Sequence, residues 1–270
     1  AIIGFGLIPV AKLKDSWVLI IATLLMLQPY EWINFACALQ HPEVTPANPA
    51  SWAYFGKMGE YIPKDSFIDT VVGNLTNGRP AVFNWSWENG RVFQTLSLFM
   101  LGMLAGRKGL FKESDSNIRF WKKALVISLV AFIPLYQAKT NVGTWYTSEA
   151  LIRPLGVILS SWANLAFMIF LVSSFVLLYR TSLFNKALNL LAPIGRMSLS
   201  NYIIQSILGS FIYYGFGLGM YQFTGATHCL IIGICLAILQ GIFSTWWLNV
   251  HKQGPLESLW HKATWVRADK

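Results

Sequence analysis

The chain has 270 residues, 54% of them hydrophobic and only 12% charged, with a mean hydropathy of +0.48 and a formal net charge of +9. So little charge excludes an ordinary water-soluble domain of this length. The excess of lysine and arginine needs no nucleic-acid partner: cations beside helix ends set membrane orientation and meet anionic lipid head groups.

Six apolar stretches, residues 16–39, 91–106, 120–138, 154–179, 198–221 and 227–250, are each close to the roughly 20 residues a helix needs to cross the hydrocarbon. Residues 1–10 read as the tail of an earlier span, which places further helices upstream of Ala1. In lipid every backbone amide must be satisfied internally, and continuous apolar runs without period-two alternation select helices over strands. The expected fold is all-α, a polytopic transmembrane bundle of six full spans plus that tail. Residues 1–90 form a membrane segment with a long aromatic loop, and residues 91–270 a membrane domain with a cytoplasmic tail.

The first full span carries Pro29 and Glu31. Pro29 removes a helical donor and predicts a kink, and a carboxylate at membrane depth marks a site by default. Arg91, opening the second span, and Arg153, opening the fourth, reach the same level, with Lys139 and Glu149 at its edge. Glu31 with these arginines makes either a structural ion pair or a substrate-binding, anion-recognising pocket.

Residues 40–89 follow, with prolines at 42, 46, 49, 63 and 80 but also Trp52, Tyr54, Phe55, Tyr61, Phe67, Phe83, Trp85 and Trp87, too aromatic for a disordered linker. Within them residues 66–75 (SFIDTVVGNL) predict a short amphipathic helix. The segment is either a lid over the outer mouth of the bundle or an aromatic belt at the head groups.

Small residues recur inside the spans, Gly102 with Gly106 and Gly215 with Gly217 and Gly219, and suit close helix packing. Asn164, Asn201, Gln205 and Gln240 place amides inside the later spans. They either bridge helices, as the four-residue spacing of Asn201 and Gln205 allows, or line a solute path. Cys37, Cys229 and Cys235 lack paired spacing and read as buried thiols, so no metal is expected. Of the four histidines, His228 at the outer end of the last span is the candidate base, and His41 reads as an outer-surface residue. Residues 254–257 read as a helix stop before a short amphipathic helix containing Trp260 and Trp265, with Glu257 placed to pair with Arg196 or Arg107.

Of the 21 lysines and arginines, fifteen fall on one set of alternating connectors (Lys12, Lys14, Arg107, Lys108, Lys112, Arg119, Lys122, Lys123, Arg180, Lys186, Arg196, Lys252, Lys262, Arg267, Lys270) and six on the other. The first set is expected in the cytoplasm, with the C-terminus inside.

Four ordered blocks, residues 91–107 (RVFQTLSLFMLGMLAGR), 195–206 (GRMSLSNYIIQS), 214–219 (YGFGLG) and 254–260 (GPLESLW), resemble the signature of the YeiB-like bacterial inner-membrane family, a domain of unknown function. The family is similar at a distance to membrane acyltransferases of the heparan-glucosaminide acetyltransferase type. That resemblance implies a multi-pass inner-membrane protein moving an acyl group from a cytoplasmic thioester such as acyl-CoA to an extracytoplasmic envelope glycan. Such chemistry needs a base, for which Glu31 and His228 are the candidates, and cations for the donor's phosphates, for which Arg107 and Arg196 stand on the cytoplasmic side. A transporter for a small organic solute and a non-catalytic membrane scaffold are the alternatives. No resident cofactor is expected.

Overall fold

The computed structural model describes residues 2–265; Ala1, Arg267 and Lys270 lie outside them. In chain order the helices are α1 (Asp15–Met26), α2 (Pro29–Gln40), α3 (Ala50–Gly56), α4 (Met58–Tyr61), α5 (Phe67–Gly73), α6 (Arg79–Glu88), α7 (Arg91–Arg107), α8 (Asp115–Trp145), α9 (Glu149–Tyr179), α10 (Ser182–Asn189), α11 (Ala192–Arg196), α12 (Ser198–Tyr213), α13 (Ala226–Val250) and α14 (Pro255–Trp265). Among the described residues there is no strand, and the all-α expectation holds.

Among the described residues three helical stretches are long and apolar enough to cross a membrane: Asp15–Gln40, Glu149–Tyr179 and Ala226–Val250. The other three predicted spans are less clear-cut. α7 has 17 residues and α12 has 16, about 25 Å each at 1.5 Å per residue, short of a hydrocarbon core of about 30 Å. The span expected over residues 198–221 stops as a helix at Tyr213, and a turn and a short 3₁₀ segment, Met220–Gln222, complete it. α8 runs 31 residues with Pro134 inside, its apolar middle bracketed by Lys122, Lys123 and Lys139.

The chain divides into two compact units. The first comprises residues 1–54 and 79–178, the second residues 55–78 and 179–270.

In the first unit α1 lies along α7. Val18 and Ala22 from one helix meet Met100 and Leu104 from the other at helical spacing, and Val10 joins them. The Ser97 hydroxyl donates to the Ala22 carbonyl at 2.7 Å across this seam. Gly102 and Gly106 are not part of the seam: a methyl at either would meet nothing within 4 Å, so the close-packing role expected of them is not the one they have.

The kink expected at Pro29 is a full break. Gln28 takes a left-handed backbone conformation (φ 59°) and α2 restarts at Pro29, whose missing N–H costs nothing at a first helical position. The break is held from the side. The fully buried Gln28 amide donates to the Gly90 carbonyl and to the Ser161 hydroxyl, both at 3.0 Å, and the Trp162 indole donates to the Met26 carbonyl at 2.9 Å. Gly90 has φ +62°, and a methyl there would strike Gln28, so glycine answers both the backbone conformation and the close approach.

In the second unit α13 turns two polar residues of its second half inward. Gln240 and Ser244 are its buried positions, while Leu230, Ile231, Ile234, Ile238, Leu239 and Ile242 are exposed. That is the reverse of a soluble amphipathic helix and suits a lipid-facing one. Cys229 and Cys235 share the exposed surface of α13, and Cys37 is exposed on α2, so the cysteines are not the buried thiols expected.

Residues 66–75 form the predicted short helix, α5, capped by the Ser66 hydroxyl accepting from the Asp69 N–H, with Phe67 and Ile68 exposed. Gly215 packs directly on the backbone of Pro63 and Lys64, where no side chain fits, and its N–H donates to the Ile62 carbonyl at 2.9 Å. Its closeness serves a loop contact instead of helix packing.

Candidate functional site

Glu31 is 5% exposed, and the helical spacing of α2 sets its surroundings. Counting three, four and three residues on from Glu31 gives Asn34, Ala38 and His41, and all four line one cavity of about 520 Å³ in the first unit. Arg153 from α9, Glu88 from the end of α6 and the rings of Tyr30 and Trp87 complete its walls. The residues between α2 and α3 are tied down beside it: the Ala47 carbonyl accepts from Arg153 at 2.9 Å, and the Pro42 carbonyl accepts from the Ser148 hydroxyl at 2.6 Å.

Among the described residues Glu31 forms no ion pair with an arginine, so the ion-pair alternative is not the one seen. Arg153 pairs with Glu149 at 3.1 Å, and the Arg91 guanidinium donates to Gln94 at 2.7 Å while lying over the Trp85 ring. Glu31 accepts one long bond from Asn34, at 3.4 Å. Glu88 is committed to α3, accepting from both the N–H and the hydroxyl of Ser51.

Arg91 lines a second cavity, of about 550 Å³, that shares Pro49, Glu88, Arg153 and Val157 with the first. Lys139 and Asn164 are also on its walls. The expected convergence of Glu31, Arg91 and Arg153 is thus spread over two adjoining cavities with Arg153 common to both. His41 is exposed, as expected, with its ring 3.6 Å from the Glu43 carboxylate, and it also lines the first cavity. Glu31 and Asn34 share a face of α2, and His41 is the residue just after that helix ends.

The remaining candidates are engaged elsewhere. In the first unit Arg107 pairs with Asp15 at 3.0 Å and donates to the carbonyls of Leu13 and Ala11, holding the segment before α1. In the second unit Arg196 donates to the Lys252 carbonyl at 3.2 Å. Glu257 pairs with neither arginine. Its carboxylate receives the N–H groups of Leu199 and Ser200, at 2.8 and 3.0 Å, and the Ser200 hydroxyl, capping the start of α12. The Leu256 N–H donates back to that hydroxyl at 3.1 Å. Burial pushes the Glu257 carboxyl up, but the bonds from Ser200, the backbone N–H groups of Glu257 itself and of Leu199 outweigh it and hold the group below the usual carboxylate range. Arg196 and Glu257 both line a cavity of about 600 Å³ with Trp260 and His261.

Asn201 bridges α12 to α13, donating to the Ser244 hydroxyl at 2.9 Å and accepting from Gln240 on its backbone carbonyl at 3.1 Å. Gln205, one turn on, is exposed and does not share that role. His228, in the first turn of α13, is exposed and lines none of these three cavities. Among the described residues no group of three or more His, Cys, Asp or Glu side chains is placed to share a metal ion.

A chain helical throughout its described residues, with three helical stretches of membrane-crossing length among them, at least one turning an amide inward and aliphatic side chains outward, is a protein of the helical membrane class. Residues 105–267, more than half of the chain, match the family described as "Protein of unknown function (DUF418)", and the chain belongs to that family. It is 30% identical over 174 residues to the uncharacterized protein YxaH of Bacillus subtilis (strain 168), a match covering 63% of this chain and 39% of that protein. It is 35% identical over 74 residues to the uncharacterized protein YeiB of Escherichia coli (strain K12), covering 27% of this chain and 19% of that one. An uncharacterized 39.9 kDa protein encoded in the amylase 3′ region of Bacillus acidopullulyticus is 26% identical over 194 residues, covering 66% of this chain and 54% of its own length. The chain therefore matches about half or less of the length of these relatives. No solved structure matches it.

Proposed function

We propose that the protein is a multi-pass component of the bacterial inner membrane, with its basic connectors and C-terminus in the cytoplasm, that transfers an acyl group from a cytoplasmic thioester to a hydroxyl or amine of an envelope acceptor. The observation that carries this reading is Glu31, a buried carboxylate in no ion pair that lines a cavity with His41 and Arg153. A buried carboxyl group without a paired cation is costly to folding, and that cost is what a functional group tolerates.

In this reading Glu31 replaces His228 as the base. It takes the proton from the acceptor's hydroxyl or amine, with Asn34 orienting the carboxylate and His41 bonding the acceptor. The acceptor's oxygen or nitrogen attacks the thioester carbonyl, the carbon–sulfur bond breaks, and the thiolate leaves to be protonated. Arg153 faces the negative charge that develops on the carbonyl oxygen. Arg196, exposed beside the cavity of the second unit, is the donor-phosphate candidate, whereas the bonds of Arg107 suit an anchor.

The test is mass spectrometry of envelope lipids and glycans from cells with and without the full-length protein. Loss of one acyl modification is expected, and an envelope unchanged in every acyl group overturns the proposal. One observation favours transport as a second reading: the break at Gln28 interrupts a stretch of membrane-crossing length, as the discontinuous helices of transporters do. Altered solute accumulation with unchanged envelope chemistry selects it. Labelling Lys122 and Lys57 from opposite sides of the membrane tests the orientation.

A further inference from the structure

A cation held out of bulk water costs free energy unless something negative faces it. Arg91, Lys139 and Arg153 all line the second cavity of the first unit, and Glu88 is the one carboxylate among its lining residues. That carboxylate is turned to Ser51, accepting from its N–H and its hydroxyl. Arg153 has Glu149. Arg91 and Lys139, both half-buried, belong to no ion pair among the described residues.

The site around them is built. Gln94 and the Trp85 ring fix the Arg91 guanidinium, at 2.7 Å from the amide oxygen and 5.7 Å from the ring centroid, leaving a planar fork suited to two oxygens of one group. One turn of α9 adds Ser160 and Asn164 to the lining as neutral hydrogen-bonding groups. A volume of about 550 Å³ is far more than a bare ion fills and is within the range of small-molecule sites.

We infer that this second cavity binds an oxyanion, a carboxylate or a phosphate, carried on a larger body that rests against the tryptophan-bearing wall. The inference rests on the acyl-transfer reading in taking that body to be the acceptor, so the acceptors of this protein are acidic ones, engaged by Arg91 and Lys139 while Arg153 joins their cavity to the one holding Glu31. The oxyanion itself has two sources, a soluble or glycan-borne acid and a phospholipid head group.

Direct binding separates the possibilities. Purified full-length protein in neutral detergent is titrated with inorganic phosphate and separately with acetate, ionic strength being held constant with chloride. The same protein is placed in nanodiscs of phosphatidylcholine alone and of phosphatidylcholine with phosphatidylglycerol. Phosphate or acetate is expected to raise Tm by about 3 °C at roughly ten times its Kd, and Lys139→Gln and Arg91→Gln are each expected to lose the rise. A rise seen only with phosphatidylglycerol, and lost in the same variants, assigns the oxyanion to a lipid head group. If no anion and no anionic lipid raises Tm, or if the rise survives in the variants, the inference is wrong. The wild-type titrations decide this even where a variant fails to fold. Anion binding that persists in a protein whose loss leaves the envelope unchanged sinks acyl transfer and spares the anion site; an acyl modification without anion binding does the reverse.

Discussion

Glu31 in the first unit and Glu257 in the second are both carboxylates that line cavities, and they are treated in opposite ways. Glu257 receives two backbone N–H groups and a hydroxyl, so its charge is consumed in starting α12 and fastening α14 to it. Glu31 accepts one long bond from Asn34 and faces a cavity. Folding uses the first charge and leaves the second available. Position in the sequence does not reveal this, because Glu257 sits in a family signature block and Glu31 lies outside all four.

The sharpest way to break the comparison is Glu31→Gln. The amide keeps the shape and removes the basicity, so acyl modification of the envelope is expected to fall roughly 100-fold or more, while Tm in detergent stays within about 2 °C. Retained activity with a lowered Tm would make Glu31 a structural group like Glu257.

Glu257→Ala should do the opposite. Three donors at the start of α12 lose their acceptor, at a cost of about 1 to 2 kcal/mol, read as a lower midpoint in thermal or denaturant unfolding. The pH dependence carries the same signature. The folded-state carboxyl lies below its ordinary value of 4.5, so its contribution is present above that value and is lost as the pH falls through the lower, folded-state one. Wild-type Tm should drop across that acid window, and Glu257→Gln should flatten this part of the profile. A variant with an unchanged acid limb would show that other groups produce it.

The contrast between the carboxylates also marks how far the sequence could be read. Length, charge and continuous apolar runs were enough for an all-helical chain, and three of the stretches have membrane-crossing dimensions, because those properties are local and additive along the chain. The helix at residues 66–75 was legible for the same reason. Partners were not. Gly102 and Gly106 have the spacing of a packing motif, but spacing does not say what lies opposite, and among the described residues nothing comes within 4 Å of where a methyl would stand. Glu257 was expected to meet an arginine, since opposite charges attract; α12 offered N–H groups with the positive end of a helix behind them instead. The break at Pro29 was visible, whereas the role of Gln28 depends on Gly90 and Ser161, which are 62 and 133 residues away.

The smallest effect probes whether the inward amides of the second unit hold helices together or only happen to point inward. Gln240→Leu removes the donor to the Asn201 carbonyl between α13 and α12, and such interhelical bonds contribute about 0.6 to 1.7 kcal/mol in a membrane protein. Gln205→Leu changes an amide that is exposed one turn beyond Asn201, and its expected cost is near zero or slightly favourable. Equal losses from the two would mean that both amides are structural, with Gln205 finding its partner outside the described residues. A loss from Gln240→Leu alone would mean that the second unit is assembled by polar contacts, as the bonding of Glu257 already suggests, in contrast to Glu31 of the first unit, a buried carboxylate with one long hydrogen bond.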